Sequence, residues 1–266
     1  MTDALDHLRS THARFNRGAA CYDRHASIQR EAASRLLAQL GDLPEPFRIL
    51  EAGCGSGQLT RLLVDRFPRS RVDAFDISEA MLDAARRQTV SGSVRWLHAD
   101  FVHFMPVLPY PLVVSSSSLH WAASLEDAVR NLASCTAPEG MLAISLMLDG
   151  TLGELHASRE VVAPGKPVRR AMPSLADLTL AVDQLGLQRL GDGAYDLCTR
   201  HETAVECLRC IHDQGLTGGL LYRPSAPLSR REIAALADDY ERRFRHPDGG
   251  VAATYRIGWV ITRCPS

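Results

Sequence analysis

The chain has 266 residues, 45% of them hydrophobic, and sets 30 Lys+Arg against 31 Asp+Glu for a formal net charge of -1. That is enough chain for one large or two small domains with a sizeable core, and the balance leaves no global field to draw in nucleic acid or an anionic membrane. Only one cation is a lysine, Lys166, set between Gly165 and Pro167. Without a Gly-Lys-Ser/Thr frame it argues against a Walker-type phosphate loop, and in an exposed turn it argues against Schiff-base chemistry.

No apolar run approaches the length of a membrane span, and Asp3, Asp6 and His7 stand where a secretory leader would be apolar, so the chain reads as cytoplasmic. Seven cysteines give no disulfide framework. Cys198, His201, Cys207 and Cys210 have a zinc-like order, but a helix predicted over 202–215 makes closure of a tetrahedral site awkward, and no metal is expected.

In chain order, the first forty residues read as helical, with Ile28, Ala32, Leu36, Leu37 and Leu40 near one face and Gly41 to Pro44 as the stop. Arg48 to Ala52 is a short buried strand running into glycines, followed by an amphipathic helix from Leu59 to Phe67. The alternation continues with strand Val72–Phe75, helix Glu79–Gln88, strand Val94–Leu97, strand Leu112–Ser115, helix Leu125–Cys135 and strand Met141–Leu146. Strands alternating with helices predict an α/β doubly wound, mostly parallel sheet. After Asp149 the rhythm breaks into a Pro- and Arg-containing stretch, Val161–Pro173, then helices near Leu175–Leu185 and Glu202–Gly215, a charged helix Arg230–Arg243 and a β-like segment Ala252–Thr262. The last segment is expected to close the sheet as an antiparallel edge strand. The organisation is therefore a single domain over 1–266: an N-terminal helical cap (1–44), an α/β core (45–147), a lid-like, substrate-selecting insertion (148–250) and a final strand (251–263).

The most informative segment is Glu51-Ala52-Gly53-Cys54-Gly55-Ser56-Gly57, where a strand enters three alternate glycines and then a helix. Bare backbone and free N–H groups there suit a close-lying ligand. The third glycine comes one residue too early for the dinucleotide fingerprint, although a dehydrogenase stays as the competing reading. Asp76, 19 residues beyond Gly57, ends the second strand where a ribose-binding acid belongs, and Asp100 ends the third. Asp76 and Ser78 also suit the plain role of capping the helix at Glu79.

Together these motifs resemble the class I S-adenosylmethionine-dependent methyltransferases. At finer grain, the segment Phe15 to Gln29, containing Tyr22, is similar to the N-terminal signature of the malonyl-acyl-carrier-protein O-methyltransferases of biotin synthesis. So are Val113 to Trp121, Gly150 to Leu155, Leu208 to Thr217 and Tyr255 to Val260. Ser116, His120 and His212 depart from the Asn, Gln and Lys of that pattern.

The resemblance implies S-adenosyl-L-methionine as cofactor, held by Glu51, Gly53, Gly55, Gly57, Asp76, Ile77, Met81, Asp100, Phe101 and Ser116. It implies methyl transfer to the free carboxylate of a malonyl thioester, on acyl carrier protein or coenzyme A, with Arg209, Trp121 and Tyr22 in the reaction site and Arg209, His212, His120 and Tyr255 at the acceptor. Arg209 suits a carboxylate clamp and equally an ordinary surface salt bridge. Other small-molecule acceptors, and a silent binding protein of the same fold, are the competing readings. For an acidic carrier the candidate docking clusters are Lys166 with Arg169 and Arg170, Arg230 with Arg231, and Arg242, Arg243 and Arg245.

Overall fold

The computed structural model describes residues 26–266 except 90, 167, 171, 215, 217–221 and 225, and the side chains of 168–170 and 222–224. Helix α1 (Ser27–Ala38) precedes β1 (Arg48–Ala52), α2 (Gln58–Arg66), β2 (Arg71–Asp76), α3 (Glu79–Gln88), β3 (Val94–His98) and β4 (Tyr110–Ser116). A short 3-10 turn (Leu119–Trp121), α4 (Leu125–Ser134) and β5 (Thr136–Met147) complete the first half. Then come α5 (Gly153–Val162), β6 (Val168–Arg170), α6 (Leu175–Asp183), β7 (Gln188–His201), α7 (Ala204–Asp213), β8 (Tyr222–Pro224), α8 (Arg230–Phe244) and β9 (Val251–Arg263).

Seven strands form one sheet in the order β3-β2-β1-β4-β5-β9-β7, and β6 pairs with β8 in a small separate ribbon. The first five run parallel, and β9 is antiparallel to both its neighbours. The expected antiparallel closing strand is therefore present, but it is not at the edge. Outside it lies β7, a strand the hydrophobic pattern does not predict and that sits within the stretch read as the insertion. Its residues alternate between exposed and half-buried with only Leu197 buried, so the apolar period-2 signal is missing. Gly191 and Gly193 belong to it because the Trp259 ring of β9 lies over them. A Cβ at Gly193 would stand 3.0 Å from that ring.

Three apolar clusters divide the core. One packs Ala33, Leu36 and Leu37 of α1 with Leu59 and Leu63 of α2 on one sheet face, and another packs α4 and α6 on the opposite face. The third joins α5, α7 and α8 to the extension of β7 and β9 beyond β5. Helix starts are marked by side-chain caps: Ser78 for α3, Ser124 for α4, Thr203 for α7, and full capping boxes at Ser174 and Ser229 for α6 and α8. Helices α1, α2 and α5 have no side-chain cap, and α2 follows Gly57, which holds φ 83°. Gln58 and Leu59 of its first turn line the smaller of the two cavities described below.

Candidate active site

Between β1, which leads to one side of the sheet, and β4, which leads to the other, the strand order reverses. The crevice outside the carboxyl ends of strands at such a point is where α/β sheets take ligands. Two cavities occupy it. The larger, about 220 Å³, is lined by Gly53, Gly55, Asp76, Ile77, Met81, Asp100, Phe101 and Trp121 among others, and the smaller, about 50 Å³, by Gln29, Glu51, Ser116 and the glycine loop. They share Gly53, Gly55 and Ser117.

The glycines have separate jobs. A Cβ at Gly53 would lie 2.6 Å from Ser118 and 2.9 Å from Phe101, so only glycine lets the β1 exit pass beneath the β4 exit. Gly57 faces no cavity: its missing side chain makes room for Ala85, Thr89 and Trp96, a packing role. Ser115 and Ser118 both donate to the Ala52 carbonyl, which stitches the two strand ends together.

Asp76 accepts the Gly55 N–H at 2.9 Å through one oxygen and the Ser78 N–H at 2.8 Å through the other. Burial raises its carboxyl above the ordinary value, and those two N–H groups offset only part of the effect. The helix cap is Ser78 itself, whose Oγ accepts the Met81 N–H. Asp76 therefore holds the glycine loop and faces the larger cavity, with lone pairs left for a ligand hydroxyl. Asp100 accepts from the Val102 and His103 N–H groups and bonds the His103 ring. Burial works against its charge, but these bonds prevail and keep it below the usual carboxylate range.

Glu51 is buried at the floor of the smaller cavity, where one oxygen accepts from Thr60 Oγ1 at 2.5 Å. Burial pushes its carboxyl up to about 8, with the nearby Asp76 adding to the shift. Ser117 adjoins it with φ 53°, a left-handed conformation uncommon for a residue with a side chain.

Seven of the ten expected cofactor residues thus meet in the larger cavity, with Glu51 and Ser116 in the smaller cavity and Gly57 behind the loop, lining neither. Trp121 lines the larger cavity and packs on the third core cluster. Tyr22 lies outside the described residues. His120 is buried and lines neither cavity; its Nδ1 accepts the Met147 N–H, and burial drives the imidazole down to about 3. Tyr255 is fully buried in the third cluster, and Arg209 and His212 are exposed on α7, so none of the three lines either cavity.

Sequence reasoning passed over Gln29, Ser117, Ser118 and Ala122 to Ser124 as lining residues. Of these only Gln29 had a usable signal, as an uncharged polar residue beside the buried stripe of α1. Lys166 is no free docking charge, because its ammonium bonds Glu232 at 2.7 Å. Arg242 and Arg243 share Asp239, and Arg245 pairs with Glu241. Cys207 and Cys210 are buried and Cys198 is exposed, and among the described residues no group of three His, Cys, Asp or Glu is placed to hold a metal ion.

The strand order and the paired cavities define a Rossmann-like methyltransferase fold, and residues 49–140 match the family model described as a methyltransferase domain. Solved structures agree. A methyltransferase structure from Bacillus halodurans superposes with TM-score 0.62 at 14% identity over 89% of this chain and 100% of that one. The N-methyltransferase NodS of Bradyrhizobium japonicum, solved with S-adenosyl-L-homocysteine, gives TM-score 0.58 at 15% identity over 96% and 99%. The sequence is 32% identical to the malonyl-[acyl-carrier protein] O-methyltransferase of Halorhodospira halophila across 91% of this chain and 83% of that one. It is 29% identical to the enzyme of that name from Halalkalibacterium halodurans across 93% and 95%. The chain belongs to the malonyl-[acyl-carrier protein] O-methyltransferase family.

Proposed function

We propose that the protein transfers a methyl group from S-adenosyl-L-methionine to the free carboxylate of a malonyl thioester, the step that masks a charge at the start of pimeloyl and biotin synthesis. The observation carrying this reading is kinship along almost the whole chain, the acceptor-side half included, with relatives of that name. The cavities fit the cofactor. Gly55 faces open space where a side chain would intrude on a ligand, Asp76 offers acceptors for ribose hydroxyls, and the smaller cavity presents buried polar atoms to an amino-acid end. When bound, the cofactor supplies a sulfonium methyl group, whose S–C electrons return to sulfur as the new O–C bond forms.

The residues have little acid–base work to do. A carboxyl of ordinary pKa, about 3.9, is already ionised at neutral pH, so no group must remove a proton. His120, held neutral and facing the backbone, fits that economy. Trp121 forms a wall of the larger cavity and limits water at the reacting oxygen, while the glycine loop and Asp76 fix the opposite side. Arg209 makes no ion pair among the described residues and is exposed, so its guanidinium is available to the anionic acceptor or its carrier.

Incubation with S-adenosylmethionine and malonyl-carrier protein, or malonyl-coenzyme A, followed by intact mass measurement tests the reading. One added methyl group is the expected result. An unmodified acceptor alongside demonstrated cofactor binding sinks it.

A further inference from the structure

A third cavity, about 380 Å³, lies apart from the crevice and shares no lining residue with either cavity there. Its size falls within the range of small-molecule sites, roughly 300 to 1,000 Å³. The floor is the α1 face of the sheet. Trp259, Ile261 and Arg263 are alternate residues of β9 and so stand on one face, with Met141 of β5 directly across from Arg263. One wall is the turn from Leu40 to Pro44 after α1, which Arg66 holds in place by donating to the Leu37 and Gly41 carbonyls.

Two irregularities of β7 shape the far side. Gly191 and Gly193 carry no side chain where the Trp259 indole lies over the strand, and a Cβ at either would stand 3.0 to 3.3 Å from that ring. The register with β9 slips between Arg189 and Gly191, and Leu190, at the slip, is 44% exposed and lines the cavity. A break of this kind in a ladder re-aims a side chain that a regular strand would point elsewhere.

The lining carries two charges of opposite sign. Arg263 and Asp42 are both exposed, and among the described residues neither makes an ion pair, with the other or with any third group. A lone anion in the cavity would face Asp42, and a lone cation would face Arg263; like charges brought together are penalised. The complementary ligand has one charge of each sign on an apolar body. We propose that this cavity is a second binding site, for a free α-amino acid with a large apolar side chain. That side chain lies against Trp259, Leu40 and Leu190, the carboxylate on the Arg263 guanidinium and the ammonium on the Asp42 carboxylate. The site stands independently of the methyl-transfer reading.

Calorimetric titration of the full chain with L-phenylalanine, with 3-phenylpropionate, which lacks the ammonium, and with phenethylamine, which lacks the carboxylate, tests the proposal. L-Phenylalanine should bind at least tenfold more tightly than either analogue. Arg263→Gln should erase the preference over phenethylamine without weakening phenethylamine itself, and Asp42→Asn should do the same for 3-phenylpropionate. Trp259→Leu should weaken all three ligands; the two charge variants lie at the surface and carry the test should the Trp259 variant fold poorly. Saturating S-adenosylhomocysteine should leave L-phenylalanine binding in place. Equal affinity for the three ligands, a preference that survives both charge substitutions, competition with S-adenosylhomocysteine, or no binding of L-phenylalanine overturns the proposal.

Discussion

Toward the amino ends of the parallel strands a single carboxylate ties the sheet together. Asp73 of β2 takes Arg95 of β3 at 2.8 and 2.9 Å, Arg48 of β1 at 3.4 Å and the Tyr110 hydroxyl of β4 at 2.6 Å. At the carboxyl ends Glu51 is less fully paired: among the described residues its side-chain partner is the Thr60 hydroxyl, and nearby Ser117 Oγ has none. Burial opposes the charge of both acids, but the partners of Asp73 outweigh it and hold that carboxyl below its usual value, whereas Glu51 is left raised to about 8. The amino ends pair their buried acid fully within the sheet, whereas the carboxyl ends leave Glu51 less fully paired beside a cavity. The same residue chemistry thus serves stability or recognition according to whether its partners come from within the chain.

The largest expected effect lies at the satisfied end. Asp73→Ala should lower unfolding free energy by about 3 kcal/mol, because Arg48, Arg95 and the buried Tyr110 lose their common partner. S-Adenosylhomocysteine affinity of the folded variant should not change; denaturant titration and calorimetry read the two quantities. With its pKa depressed, Asp73 stabilises the fold above the unfolded carboxylate value and loses that contribution as pH falls through the native one, so its effect should fade only in acid.

Glu51→Gln should act with opposite signs. A raised carboxyl favours folding below the unfolded value near 4.5 and loses that advantage as pH rises through about 8. The neutral amide should therefore raise the stability of the ligand-free protein at pH 8, by on the order of 2 kcal/mol, while weakening binding of S-adenosylhomocysteine. Thermal unfolding with and without the ligand measures both, and a variant that gains or loses in both together would break the contrast between the two ends.

Gly53→Ala should cost about 1 to 3 kcal/mol, through its φ of 71° and its contact with Ser118, and should abolish detectable cofactor binding. Arg209→Ala is the smallest perturbation. It should leave stability within about 0.5 kcal/mol and S-adenosylhomocysteine affinity unaltered, while raising KM for the malonyl acceptor about fivefold. An unchanged KM would remove Arg209 from the acceptor site.

Most of the crevice at the carboxyl ends of the strands was legible because backbone requirements leave marks in the sequence. Gly53 and Gly55 advertise positive φ, and Asp76 and Asp100 stand at strand ends defined by apolar runs. The residues expected at the acceptor left weaker marks. His120 and Tyr255 are polar by type yet buried away from both cavities, and a residue's type does not tell which side of a strand end it faces. Ser117 was missed because its backbone angle comes from how β4 leaves the sheet. Strand β7 was missed because its neighbour β9, rather than an apolar stripe of its own, defines it.

The position of β9 has a consequence for how the molecule is made. This strand follows every other described element in chain order, yet it lies between β5 and β7 and pairs with β7 from Val251 to Arg263. A nascent chain leaving the ribosome can assemble β1 to β5 while β7 still lacks its sheet neighbour. Helices α5, α7 and α8, whose core includes Val251, Ala253, Tyr255 and Ile257, must wait with it. Closure is thus a late, long-range step, and the half built on β1 to β5 would fold before the half built on β7, β9 and their helices.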